Sequence, residues 1–251
     1  MGNSKKLYED EDSYANICVA HGAFSDSTTQ ELTSATVPWV MCFDTIEDEE
    51  GVTLGTTSEV TISNASPAVI SWAAHGLFVD SCITFTTTGA LPTGLVAGTR
   101  YFIIAAGFGA DSFQVSATPQ GAAIDTSSAG SGTHTAINKS VINISKAGHY
   151  SFIFSSICNA TSSTGSAIDI WFRKNGVNVA RSNTKVQLPT ANSLLISAAD
   201  VEVSPLVAGD RVEMFWRGSQ TDDQLKAIAA AASPDRPATP STILTVTYKC
   251  T

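Results

Sequence analysis

Gly148-His149-Tyr150-Ser151-Phe152-Ile153-Phe154-Ser155 decides the fold class. In an extended chain Tyr150, Phe152 and Phe154 share one face, and Ser151, Ile153 and Ser155 share the other. A helix would scatter the three aromatics around its axis. The segment therefore reads as a strand with one aromatic face in a core. The same period recurs at 210–217, where Val212, Met214 and Trp216 alternate with Arg211, Glu213 and Phe215. Further strands are expected at 83–87, 101–105, 112–116, 167–173, 177–180, 200–203 and 243–249. These runs are rich in Thr, Val, Ile, Phe and Tyr and are bounded by Gly, Pro, Asn and Ser. Asn175-Gly176 lies between two of them and signals a hairpin.

Only one segment reads as helix. Thr221 is placed to cap 222–232, Asp222 and Asp223 sit at the positive end of its dipole, and alanine fills the interior. Ser233-Pro234 ends it. The fold class expected is all-β, a jelly-roll β-sandwich with an inserted small β-domain and one short helix near the C-terminus.

A length of 251 residues suits one large β domain or two smaller ones. With 43% hydrophobic and 15% charged residues the chain can bury a core and is not a disordered composition. A net charge of −9 excludes nonspecific nucleic-acid binding and attraction to anionic membrane. No apolar run approaches the roughly 18–20 residues of a membrane span, and residues 1–12 lack the apolar stretch of a secretory leader. The chain thus reads as soluble and made in a cytoplasm. The five cysteines, Cys18, Cys42, Cys82, Cys158 and Cys250, are odd in number and lack C-x-x-C spacing. They read as buried, reduced thiols rather than a disulfide framework or a zinc site.

Composition divides the chain further. Residues 1–15 form a polar arm carrying Glu9-Asp10-Glu11-Asp12, with Glu9 and Asp10 as candidate contacts to a neighbouring subunit. The run Glu47-Asp48-Glu49-Glu50 reads as a solvated loop, and it lacks the ligand pattern of a calcium-binding EF-hand. From about Pro67 to Thr135 the chain is rich in Gly, Ala and Thr, and both flanks look like halves of one interrupted sheet protein. The expected organisation is 1–15 arm, 16–64 first part of the jelly roll, 65–137 inserted module and 138–251 second part.

The middle unit reads His75-Gly76-Leu77, Ile83-Thr84-Phe85, Gly89-Ala90-Leu91-Pro92-Thr93-Gly94-Leu95, Gly98-Thr99-Arg100-Tyr101 and Phe113-Gln114-Val115-Ser116. This resembles a small β-module that recurs in structural proteins of tailed bacteriophages. The sequence departs at Val79-Asp80-Ser81, where that module has a Gly-Asp turn. The outer unit carries Gly148-His149-Tyr150-Ser151-Phe152, then Arg173-Lys174-Asn175-Gly176, then Leu206-Val207-Ala208-Gly209-Asp210-Arg211-Val212. It is similar to the trimeric jelly-roll family of C1q and tumour-necrosis-factor heads. That resemblance implies a threefold bundle in which Trp171, Phe215 and Trp216 fill the core or line subunit contacts.

Reaction machinery is not evident. G-x-S-x-G, H-E-x-x-H and G-x-x-x-x-G-K-[ST] are all missing. His21, His75, His134 and His149 are far apart and read as surface or turn residues. Cys158 and His149 lie near opposite ends of one strand region, beyond hydrogen-bond reach. Arg173-Lys174 reads as a solvated hairpin tip, or as a contact for an acidic neighbouring arm. No catalytic residue, metal or cofactor is expected.

Together these readings point to a non-enzymatic virion structural protein of a tailed phage. The expected role is a homotrimeric capsid decoration (cement) protein or head fibre. It would bind the major capsid protein on the virion surface after assembly in the host cytoplasm. The alternative is a tail-associated or receptor-binding protein that takes host glycans through Trp39 or Trp72.

Overall fold

A computed structural model describes residues 20–161 and 165–249. The described chain is all-β: two antiparallel sheets pack as a jelly-roll sandwich, and a closed barrel sits against one of them. In the first sheet the neighbours run Thr45–Glu50, His21–Asp26, Thr242–Lys249, Gly148–Asn159 and Leu194–Leu206. In the second they run Thr184–Leu188, Ser166–Lys174, Arg211–Gly218, Ile142–Ile144 and Val52–Leu54. The alternating pattern at Tyr150, Phe152 and Phe154 places all three in the sandwich core, where Phe152 meets Phe172 at 5.2 Å between ring centroids. Val212, Met214 and Trp216 complete that core from the opposite sheet.

The barrel closes in the order Ser112–Ser116, Ile70–Ser71, Thr57–Ile62, His134–Asn138, Cys82–Thr87 and Tyr101–Ile104. Its own core holds Phe85, Tyr101, Ile103 and Phe113. Its first strand, Thr57–Ile62, precedes the compositional change near Pro67. The chain enters and leaves the barrel side by side. Val52–Leu54 pairs with Ile142–Ile144 in the sandwich, and Thr57–Ile62 pairs with His134–Asn138 in the barrel. Gly55 makes the step between them at φ 65°, and a Cβ there would strike the Asn138 carbonyl.

The motifs of the small module have physical roles in this barrel. His75 Nδ1 accepts from the Leu77 N–H at 2.9 Å, and its Nε2 meets the Gly109 carbonyl at 2.8 Å. Leu95 is buried beneath the Leu91-Pro92 turn, and the Tyr101 hydroxyl accepts from the Val96 N–H at 2.9 Å. In the sandwich Asn175 and Gly176 take φ values of 49° and 80°, the left-handed pair that closes a two-residue hairpin at Lys174 and Val177.

Four sequence expectations need correction. The helix at 222–232 is replaced by extended chain, and the described residues contain no helix. Asp222 has φ 68°, and the Asp222 N–H and Leu32 N–H exchange bonds with the Leu32 and Asp223 carbonyls. Pairing of Gln224–Leu225 with Cys158 and Asn159, and a local hairpin of Ala231–Ala232 with Asp235–Arg236, override the alanine propensity. The acidic run forms most of strand Thr45–Glu50, at the sheet's edge, where charge discourages edge-to-edge pairing. Cys42 and Cys82 are joined in a disulfide, while Cys158 is a buried free thiol. His75 and His134 are buried rather than surface residues.

Candidate functional site: the interaction surfaces

The outer face of the second sheet carries Arg211, Glu213 and Phe215 from one strand and Asp169, Trp171 and Arg173 from its neighbour. The barrel is seated on part of this face. Ser81 donates to Glu213 Oε1 at 2.6 Å, and Ser140 donates to the same oxygen at 3.1 Å. Arg173 pairs with Asp80 at 3.6 Å and lies 3.8 Å over the Phe215 ring. Arg211 donates to the Gly76 carbonyl at 2.5 Å. Beside this row Phe102 packs edge-on against Trp39 at 5.2 Å, and the Cys42–Cys82 disulfide ties the sandwich to the barrel. Arg100 of the barrel grips the fully buried Asp26 of the sandwich through two bonds, at 2.5 and 3.0 Å.

Burial decides the electrostatics of this seat. It pushes the Glu213 carboxyl up to about 7, against the pull of the Ser81 and Ser140 hydroxyls and of Arg173. Burial also raises Asp80, with Arg173 opposing. Glu213 Oε2 and Asp80 Oδ1 are buried without a hydrogen-bond partner among the described residues. A neutral Glu213 suits this environment better than a carboxylate.

The sequence motifs meet at the far end of the sheet. The Asn175 amide donates to Asp210 at 2.7 Å, its oxygen accepts from the Arg211 N–H at 2.9 Å, and Lys174 pairs with Asp210 at 2.8 Å. Burial works to raise Asp210, but Lys174, the Val207 N–H and Asn175 together hold it below the usual carboxylate range. The Lys-Asn-Gly hairpin and the Gly-Asp turn are thus two halves of one corner. Arg173 and Lys174 are spent within the chain and do not form a solvated tip.

The outer face of the first sheet is left open by the described residues. Ile153, Ile196 and Ile243 are 45%, 67% and 41% exposed, and Leu194 adjoins them. Ile153 and Ser155 lie between Thr245 and Ile243 on one side and Asp200 and Ala198 on the other. Asp200 stands beside Ile153 and accepts from the Ser151 hydroxyl, and His149, Glu202 and Lys249 lie farther along the same face.

A groove of about 530 Å³ opens on the second sheet beside the barrel, lined by Trp171, Asp169, Asn178, Arg181, Asn183, Lys185 and Arg217 among others. A second groove of about 890 Å³, with Glu59, Asp111 and His134 in its wall, lies on the barrel.

The residues singled out from sequence fall in different places. Phe215 and Trp216 are fully buried within the single chain and present no surface to a partner. Trp171 is half-buried and stacks on Phe215 at an interplanar angle of 28°. Glu9 and Asp10 lie outside the described residues. Trp39 and Trp72, the aromatics considered for glycans, are both core residues. Burial lifts the Cys158 thiol to about 12, so it is no nucleophile at neutral pH. His149 sits on the same strand about 30 Å away, at some 3.3 Å per residue, and bonds to Glu202 and Ser204. Sequence reasoning missed Glu213 and the groove. Glu213 stood at an outward position of its strand, and only the barrel's placement buries it.

No family model matches this chain, and no curated protein matches it. Among solved structures, CBM35 from Cellvibrio japonicus Abf62 is 11% identical with a TM-score of 0.24, covering 78% of this chain and all of that one. Dimeric latent PorU from Porphyromonas gingivalis is 9% identical with a TM-score of 0.26, covering 94% of this chain and 25% of that one. The uncharacterised protein lmo2446 of Listeria monocytogenes is 12% identical with a TM-score of 0.19, covering 89% and 22%.

Proposed function

We propose that this chain is a non-enzymatic structural protein of a tailed-bacteriophage virion, assembled as a homotrimer on the outer capsid surface. There it acts as a decoration (cement) protein or head fibre bound to the major capsid protein. The observation that carries the oligomer is the open first sheet, whose Ile153, Ile196 and Ile243 form an apolar strip on an otherwise acidic chain. A second copy fits this strip because burying the isoleucines supplies the driving force, and the one carboxylate beside them, Asp200, is held by the Ser151 hydroxyl of its own sheet. The phage assignment is supported by the resemblance of the barrel sequence to a tailed-phage module. A tail-associated or receptor-binding role is the second reading, and the groove at Trp171 favours it.

Light scattering tests the oligomer directly. The expected mass is three times 26.2 kDa, with saturable binding to capsids lacking the protein. Ile196→Asp should reduce the mass to that of one chain. A wild-type monomer overturns the trimer, and a trimer that ignores capsids moves the assignment to the tail.

A further inference from the structure

We infer that the groove at Trp171 is a binding site for a carboxylated saccharide, such as a uronate-containing chain. The inference deepens the receptor-binding reading by naming a site and a ligand class.

Three cations converge there, Arg181, Lys185 and Arg217, on a chain whose net charge is −9. Asp169 on the groove floor offsets one of them through its contact with Arg217 at 3.6 Å. Arg181 and Lys185 make no ion pair among the described residues. Two amides beside the cations are fixed in opposite senses. The Asn178 oxygen accepts from Trp171 Nε1 at 2.9 Å and from Arg173 Nε at 3.0 Å, which leaves its NH₂ to donate. The Asn183 NH₂ donates to Asp169 at 3.1 Å, which leaves its oxygen to accept. A sugar hydroxyl, which both donates and accepts, matches such a pair. Trp171, braced on one side by Phe215, offers an aromatic surface for sugar C–H groups. The volume of about 530 Å³ lies in the ordinary range for small-ligand sites, roughly 300–1,000 Å³.

The backbone fixes where Arg181 stands. Arg181 is held at φ 64°, a left-handed conformation in which glycine or asparagine would be relaxed. The turn is fixed by the Ser182 hydroxyl, which donates to the Val179 carbonyl at 2.8 Å and accepts from the Phe172 N–H at 3.0 Å. The turn sets the Arg181 guanidinium on the groove rim, where it makes no ion pair among the described residues. A carboxylate matches it, because the planar fork can bind both oxygens. Asp169 and the aromatic floor disfavour a phosphate-dense polyanion.

The test is calorimetric titration of the full chain with a galacturonate trisaccharide, a neutral galactose trisaccharide and inorganic phosphate. The acid sugar should bind, and the neutral sugar and phosphate should bind at least tenfold more weakly. Arg181→Gly should weaken the acid sugar about tenfold while leaving the melting temperature unchanged or raised, since glycine relieves the turn. Lys185→Ala should act in the same direction. Equal binding of phosphate, or of a peptide carrying Glu9–Asp12, would overturn the saccharide class. Wild-type binding that survives both substitutions would remove the site and keep the receptor-binding reading. If neither sugar binds, the inference falls, while the receptor-binding reading is decided separately by whether the labelled full chain binds intact host cells, and the light-scattering mass still reports on the trimer.

Discussion

The two outer faces of the sandwich invert the usual expectation. The second sheet turns charged side chains outward, Glu213 and Arg173 among them, yet the chain's own barrel covers that part of the face. The first sheet turns isoleucines outward, yet the described residues leave them exposed. The covered face is held by directional contacts: a disulfide, the Arg100–Asp26 bridge and hydroxyls on a buried carboxylate. The open face offers mainly apolar area, its one nearby carboxylate, Asp200, being bonded to Ser151 of the same sheet. Directional contacts fix one partner in one pose, which suits a barrel tethered within the chain. Apolar area without directional anchors suits identical copies meeting about an axis.

Removing one side of the Arg100–Asp26 bridge should have the largest effect. Asp26 is fully buried and is satisfied by Arg100, Gln30 and Thr28. Arg100→Ala strands that carboxylate and should cost about 3–5 kcal/mol in a denaturant titration. A loss below about 1 kcal/mol would mean that Gln30 and Thr28 suffice. The disulfide comes next. It closes a separation of 40 residues, for which chain entropy gives about 4 kcal/mol. The Cys42→Ala/Cys82→Ala pair should lose most of that, and reduction of the wild type should match it. A double variant as stable as wild type would show that the remaining seat contacts hold the barrel unaided.

The pattern of the core was legible because alternation carries it. Tyr150, Phe152, Phe154, Val212, Met214 and Trp216 all lie where a period of two puts them. The Asn175-Gly176 turn was legible for the same local reason. What was not legible depends on distant neighbours. The alanine-rich segment looked helical because local propensity ignores Leu32, which pairs with it across the sheet edge. Cys42 and Cys82 gave no spacing signal, because barrel and sandwich bring them to a Cα separation of 6.0 Å only on folding. The Trp171 groove is assembled from Pro38, 169–185 and Arg217. Its basic character is invisible in an acidic composition.

Glu213 sharpens the comparison through pH. Its carboxyl sits at about 7 in the folded chain and at the ordinary 4.5 when exposed. Between those values the folded state holds a proton that the unfolded state has released, so stability should fall as pH rises from about 4.5 to 7. The spread corresponds to about 3 kcal/mol. Glu213→Gln keeps the oxygen that accepts from Ser81 and Ser140 and removes the titration. The variant should match wild type near pH 5 and exceed it near pH 8. Parallel stability curves for both proteins would show that Glu213 does not titrate in the seat.

The smallest expected effect on chain stability belongs to the open face. Ile153→Ser and Ile196→Ser replace side chains that are already substantially exposed, so each should change the unfolding free energy of the single chain by no more than about 0.5 kcal/mol. The same pair should change the mass in solution threefold if the strip joins copies. The two measurements must therefore separate. A trimer that falls apart while its chains stay as stable as before would assign the strip to association. Chains that lose several kcal/mol with no change in mass would assign it to the fold itself. In that case the contrast between an occupied polar face and a waiting apolar one would be lost.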